Sequence, residues 1–283
     1  MKINSDKAFN LLSFVFAICG FLLFLLYIGP TGPNFGTDWI TSFKPAILAF
    51  LHGENPYINS YGFFNPPWAM IPFVPLILLS DKIVSVIFFC MSILVFGFVA
   101  YKMGAPIFAA IFFALSPFVI RCANDPNIDW LIVLGFLLPP KIGLFFVLAK
   151  PQIGWAVALF WFIEAWENGK FREILKTFSP VVICYIISFL IFGFWPLNSF
   201  GLEEAAHNTS LFPMSIPIGL GFLVMSLRKR NLGNSIISAP LLSPYVGPVS
   251  WGVPILGILP NKWEFLFVVL GTWIIQFITK TFI

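Results

Sequence analysis

Ile83-Val-Ser-Val-Ile-Phe-Phe-Cys-Met-Ser-Ile-Leu-Val-Phe-Gly-Phe-Val-Ala100 is a run of 18 residues without a charged side chain. A helix rises about 1.5 Å per residue, so the run approaches the roughly 20 apolar residues that cross the hydrocarbon core of a bilayer. Leu11 to Gly29 and Thr177 to Trp195 have the same character. The whole chain follows suit, with 59% hydrophobic and 10% charged residues, against roughly 25% charged in soluble domains. Its mean hydropathy is +0.94. Lipid is the solvent that such a composition fits. Backbone polar groups in lipid must be satisfied within their own segment, so the expected fold is all-α, a polytopic transmembrane helical bundle forming one integral membrane domain over residues 1–283.

Working outward from the decisive run, further spans are expected at Pro106 to Ile120, Ile128 to Leu138, Ile142 to Ala149, Ile153 to Trp166, Phe212 to Leu227, Ser235 to Leu242, Ser250 to Leu259 and Trp263 to Thr279. The short ones read as half-spans or re-entrant pieces. Pro67 to Leu79 is apolar but short and carries Pro72 and Pro75, so it reads as a dip into the outer leaflet rather than a crossing. The first hydrophobic segment follows Lys2 and Lys7 as a signal peptide would. Tyr27-Ile-Gly-Pro offers no small-x-small cleavage site, and the segment is expected to stay as the first span.

Charge supplies the topology. With the N-terminus cytoplasmic, the inner loops hold Lys2, Lys7, Lys102, Lys141, Lys170, Arg172, Lys176, Arg228, Lys229, Arg230 and Lys262, which is 11 of the 16 Lys and Arg, as the positive-inside rule requires. Lys44, Lys82, Arg121, Lys150 and Lys280 remain outside. Under the same assignment Asp38, Glu54, Asp81, Asp125, Asp129, Glu203 and Glu204 gather on the outer side with His52 and His207, which marks that face as the site. The localisation expected is therefore a multi-pass protein of the cell membrane. A net charge of +4 spread over short loops does not suggest nucleic acid as a partner. Cys19, Cys90, Cys122 and Cys184 lie far apart without a C-x-x-C pair and read as small core residues.

Five polar elements interrupt the apolar runs. The first outer loop, Pro30 to Pro66, carries Asp38 just after the first span, then Asn55-Pro56-Tyr57 and Asn65-Pro66-Pro67-Trp68. An acid held at the membrane surface by a rigid turn suits a base acting on a lipid-proximal substrate, and a solvated loop with an incidental Asp is the alternative. Arg121-Cys-Ala-Asn124-Asp125-Pro126-Asn127-Ile128-Asp129 is a polar cluster between apolar runs whose residue types also select ordinary turns. Lys150-Pro151-Gln152 sits between two segments too short to cross alone, as the tip of a proline-broken hairpin. Charge at membrane depth is expensive and tends to be functional, with snorkelling of the lysine to the interface as the rival explanation. Glu203-Glu204-Ala-Ala-His207 follows, then Ser243-Pro244-Tyr245. One histidine with two acids lacks further spaced ligands, so no metal is expected, and a phosphate is the better partner for His207. The sequon Asn208-Thr209-Ser210 reads as a chance match.

Taken in order, Asp38, Asn55-Pro56-Tyr57, the Asn65-Pro66-Pro67 re-entry, the polar turn, Lys150-Pro151-Gln152 and Ser243-Pro244-Tyr245 resemble the glycosyltransferase C superfamily, and within it the family 87 membrane mannosyltransferases, from about Leu11 to Tyr245. The resemblance implies re-entrant or broken helices on the outer face and transfer of a mannose-like sugar from a polyprenyl-phosphate donor to a lipid or glycan acceptor. It implies Asp38 as general base, with Lys150, Arg121 and His207 near the donor phosphate. Asn55, Tyr57, Asn124, Asp125, Asp129, Gln152, Ser243 and Tyr245 would line the substrate pocket. Such chemistry needs no cofactor and no metal, the polyprenyl-phosphate sugar being a substrate; membrane lipids and other subunits of a membrane complex are the further partners. The polar turn departs from the family's Gly with Gln or Asn, and 283 residues is short for it. A catalytically inactive subunit for lipid binding or assembly is the alternative function. A transporter or flippase is a third class, which would also gather polar groups around broken helices; against it, the sequence shows no inverted repeat and its ionisable residues concentrate at one face rather than near the midplane.

Overall fold

A computed structural model describes residues 5–27, 35–59, 62–199, 207–259 and 261–279. Among them every regular element is helical. Among the described residues four helices are long and apolar enough to cross a membrane: α1 (Ser5–Tyr27), α4 (Asp81–Lys102), α9 (Pro151–Phe192) and α13 (Lys262–Thr279). A fifth crossing is made if α5 (Ile107–Ala114) and α6 (Pro117–Asn124), bent by 51°, act as one broken span. Large apolar side chains stand on their outer faces, Leu94 at 66% and Leu190 at 80% exposure. Contiguous surface of this kind is rare on soluble proteins, and the chain has the helices of a membrane protein.

Between the long helices the chain runs in short pieces. These are α2 (Lys44–Leu51), α3 (Pro56–Asn59), α7 (Asp129–Gly135), α8 (Pro140–Val147), α10 (Ile216–Lys229), α11 (Leu232–Leu241) and α12 (Gly252–Ile255). Helix α4 packs on α5, α6 and α7, α8 packs on α7 and α9, and α11 packs on α9 and α10. Pro67 to Leu79 forms two 3₁₀ pieces, Pro67–Ala69 and Ile71–Leu78. Each proline removes a backbone donor, which favours short 3₁₀ turns over a continuous α-helix.

The spans expected up to Trp166 and from Thr177 are two helices within 151–192 that meet at non-helical backbone at Gly169 and Lys170. The charged stretch after the break is helical because Glu and Lys are good helix formers, and Lys176 pairs with Glu173 one turn away. The span expected from Phe212 starts at Ile216, after the 207–215 segment has been bonded to the 243–251 segment. Thr209 N–H donates to the Val246 carbonyl at 2.9 Å and Ser210 Oγ to that of Ser243 at 2.5 Å. Asn208 is held there too, donating to the Pro244 carbonyl and accepting from the Ser210 and Val246 amides.

This order of elements separates the cavity residues from a set of basic ones. Arg121, Asp125, Asn127, Lys150, Trp195, His207 and Ser243 fall at one end, where they line a common cavity. Lys102 ends α4, Lys141 stands in the first turn of α8, Lys170 stands at the break within 151–192, Lys229 ends α10 and Lys262 opens α13, and none of them lines the cavity. Arg230 pairs with Glu167 and Lys262 with Asp6.

Candidate functional site

The loop after α1 is fastened to the bundle before it reaches Asp38. Gly36 N–H donates to the Asn124 carbonyl at the end of α6. Its φ of +93° is left-handed, and a Cβ there would come within 2.5 Å of Ser85 Oγ, so glycine is required twice over. The following turn, Trp39–Phe43, is tied to the start of α4, because Trp39 Nε1 and Lys44 Nζ both donate to Asp81 Oδ1, at 3.0 and 2.7 Å. Asp38 is thereby presented beside the 125–128 turn.

Lys150 is reached by a different device. Helix α8 stops at Val147 and α9 starts at Pro151, leaving carbonyls without helical partners. Buried carbonyls of this kind must be paired, and side chains from three elements supply the donors. Trp68 Nε1 bonds the Phe145 carbonyl at 2.9 Å, Tyr185 Oη that of Leu148 at 3.1 Å, and Asn65 Nδ2 that of Ala149 at 2.8 Å. The hairpin closes tightly because Gly154 lets the two backbones touch; a Cβ there would lie 1.9 Å from the Val147 carbonyl oxygen.

These elements enclose a cavity of about 920 Å³, within the range of small-molecule sites. Asp38, Arg121, Asp125, Lys150, Gln152, His207, Ser243 and Tyr245 all line it. Aromatic rings of Phe43, Phe64, Trp155, Tyr185 and Trp195 form much of the remaining wall. Trp195 is clamped between Tyr57, stacked at 5.2 Å, and Tyr185, stacked at 6.2 Å. The other four predicted residues do not line the cavity. Asn55 accepts from Tyr57 N–H and donates to the Phe192 carbonyl. Tyr57 bonds the Asn65 carbonyl, Asn124 offers its backbone to Gly36, and Asp129 is completely buried behind Lys150. Glu203 and Glu204 lie outside the described residues.

The polar centre is a chain of side chains. Asn127 Nδ2 donates to Asp38 Oδ2 at 2.6 Å, and Lys150 Nζ donates to Asn127 Oδ1 at 2.9 Å. Lys150 also donates to Asp129 Oδ1 at 2.5 Å and to Ser250 Oγ at 2.9 Å. An ammonium has three protons, so Lys150 has no donor left over, and direct contact with a ligand phosphate requires one of these partners to let go. Arg121, 3.8 Å from Asp125, is less committed. His207 is exposed at the rim with its ring edge-on to Tyr245.

Asp38 is half-buried in the wall, and the surrounding protein raises its pKa above the usual carboxylate value. Lys150 and the Asn127 bond pull the other way without cancelling this. Asp125 is pushed up to about 6, first by burial and then by the Asp38 charge, with Arg121 opposing. Asn127, Ser250 and Asn65 were not singled out in the sequence as site residues. Asn127 is indistinguishable there from any turn asparagine, and its role depends on Asp38 and Lys150 arriving from distant segments. No protein-family model, curated protein or solved structure matches the chain.

Proposed function

We propose that the chain is a membrane glycosyltransferase of the glycosyltransferase C kind, moving a sugar from a polyprenyl-phosphate donor to a lipid or glycan acceptor. The observation that carries this reading is one cavity holding a carboxylate of raised pKa together with Arg121 and His207, walled by aromatic rings. In the reaction the acceptor hydroxyl oxygen bonds the anomeric carbon while the bond from that carbon to the donor phosphate oxygen breaks. Asp38 takes the hydroxyl proton, and the electron pair leaves with the phosphate as polyprenyl phosphate. A base within hydrogen-bond reach and fixed positive charge near the departing phosphate are what this step needs. Arg121 and His207 serve the phosphate, and Lys150 supplies positive charge from behind Asn127.

All three Lys150 protons are taken by internal partners rather than held ready for a departing phosphate, which favours one second reading, a subunit that binds the lipid phosphate through Arg121 and His207 without transferring sugar. Purified protein in lipid, given a polyprenyl-phosphate mannose and a panel of acceptors, separates the two. Transfer that drops about 10²- to 10⁴-fold in Asp38→Asn, with donor binding retained, supports the enzyme. Unchanged transfer in that variant removes the base. Donor binding with no transfer by the wild type across the panel selects the binding subunit.

A further inference from the structure

We propose that Asn127 is a positioning residue, whose amide holds the Asp38 carboxylate in place and keeps the Lys150 charge one side chain away from it. The catalytic consequence rests on the transferase reading above; the geometry does not. The amide orientation is set by charge. With Nδ2 toward Asp38 and Oδ1 toward Lys150, both contacts are attractive; the flipped amide would set oxygen against carboxylate and N–H against ammonium. Lys150 cannot follow if the amide is removed, because Asp129 and Ser250 hold it from the other side. Asp38 Oδ1 takes no hydrogen bond among the described residues and is the oxygen left for an incoming hydroxyl.

The spacer has a chemical purpose. A lysine in direct contact with a carboxylate lowers its pKa by roughly 1 to 3 units, which weakens it as a base. An amide between them anchors the carboxylate through one neutral donor while leaving it in a poorly solvated wall. The charged and titratable groups around Asp38 are Lys150, Asp129 buried behind it, and His207, with Asp125, Tyr245 and the buried Cys122 sensing it in turn and Arg121 beside Asp125. Asn127 is the side chain that touches both Asp38 and Lys150.

The test follows the protonated-carboxyl infrared band of the full-length protein in lipid against pH, the Asp38 contribution being the part lost in Asp38→Asn. Asn127→Ala removes a donor to the charged form and is expected to raise the Asp38 midpoint by about one pH unit, a tenfold change in proton affinity. Asn127→Asp sets a second carboxyl beside it and is expected to raise the midpoint further. In a transfer assay the acid limb of kcat moves by the same amount. Should Asn127→Ala fail to fold, the nearly isosteric Asn127→Asp carries the measurement. An unmoved midpoint in the folded variants overturns the proposal, even if they are less stable. A moved midpoint in a protein whose wild type transfers no sugar leaves the positioning role standing and removes the transferase reading instead.

Discussion

Lys150 Nζ lies 2.5 Å from Asp129 Oδ1, and the Asp129 side chain has no exposed surface. Asp129 opens α7 and Lys150 follows α8, so the pair closes the base of the α7–α8 hairpin and locks the break between α8 and α9 where the cavity needs a positive charge. Asp129 Oδ2 is buried and takes no bond among the described residues, so the aspartate depends on Lys150 for compensation.

Removing one partner of such a pair strands the other charge. Lys150→Met or Asp129→Asn alone is expected to cost about 3–5 kcal/mol of stability. The double variant should lose clearly less than the sum. A double-mutant cycle on unfolding in detergent reads this, and strictly additive losses would show that the two do not act as a unit.

Asp125 predicts a pH dependence of donor binding. Its carboxyl is neutral below about pH 6, which leaves Arg121 free for the donor phosphate; above that pH the carboxylate neutralises the guanidinium. A sugar phosphodiester keeps its single charge throughout this range, so the ligand contributes no titration of its own. Affinity for polyprenyl-phosphate mannose should fall as pH rises through about 6, and Asp125→Asn should flatten the curve. A fall of equal size in the variant would assign the dependence to another group.

Gly154 makes the backbone contact that lets α8 and α9 meet at Lys150. Gly154→Ala forces a methyl into the Val147 carbonyl, and overpacking of this kind costs roughly 1–3 kcal/mol. The variant should melt earlier and, because the hairpin tip shifts, lose donor binding as well. Normal melting and binding would mean that the hairpin accommodates the methyl group elsewhere.

The two ends of the bundle predict a labelling pattern. Cysteines placed at Lys102, Lys141 or Lys229 in a background free of the native four should react only from the cytoplasmic side, and one placed at His207 only from outside. Reaction of a Lys102→Cys variant from outside intact cells reverses the orientation.

Composition and the long apolar runs were enough to determine the solvent, the all-helical class and the long crossings around Leu11–Gly29 and Ile83–Ala100. Those properties are sums over local stretches, and lipid leaves the backbone no other way to bond itself. The break before Pro151 and the prolines of the 67–78 segment were legible for the same reason, since proline acts on its own neighbours.

Only the tertiary structure decided what the polar residues do. Asp38, Asn127 and Lys150 are tens of positions apart, and their contact depends on Gly36 reaching the end of α6 and on Asn65, Trp68 and Tyr185 capping the broken carbonyls. Pairings across such distances leave no periodic trace along the chain. That is why Asn55, Tyr57, Asn124 and Asp129, equally polar in the sequence, hold the wall up from behind, whereas Asn127 stands at its centre. Burial and hydrogen bonding fix a side chain's role, and both belong to the folded arrangement of several segments rather than to any one of them.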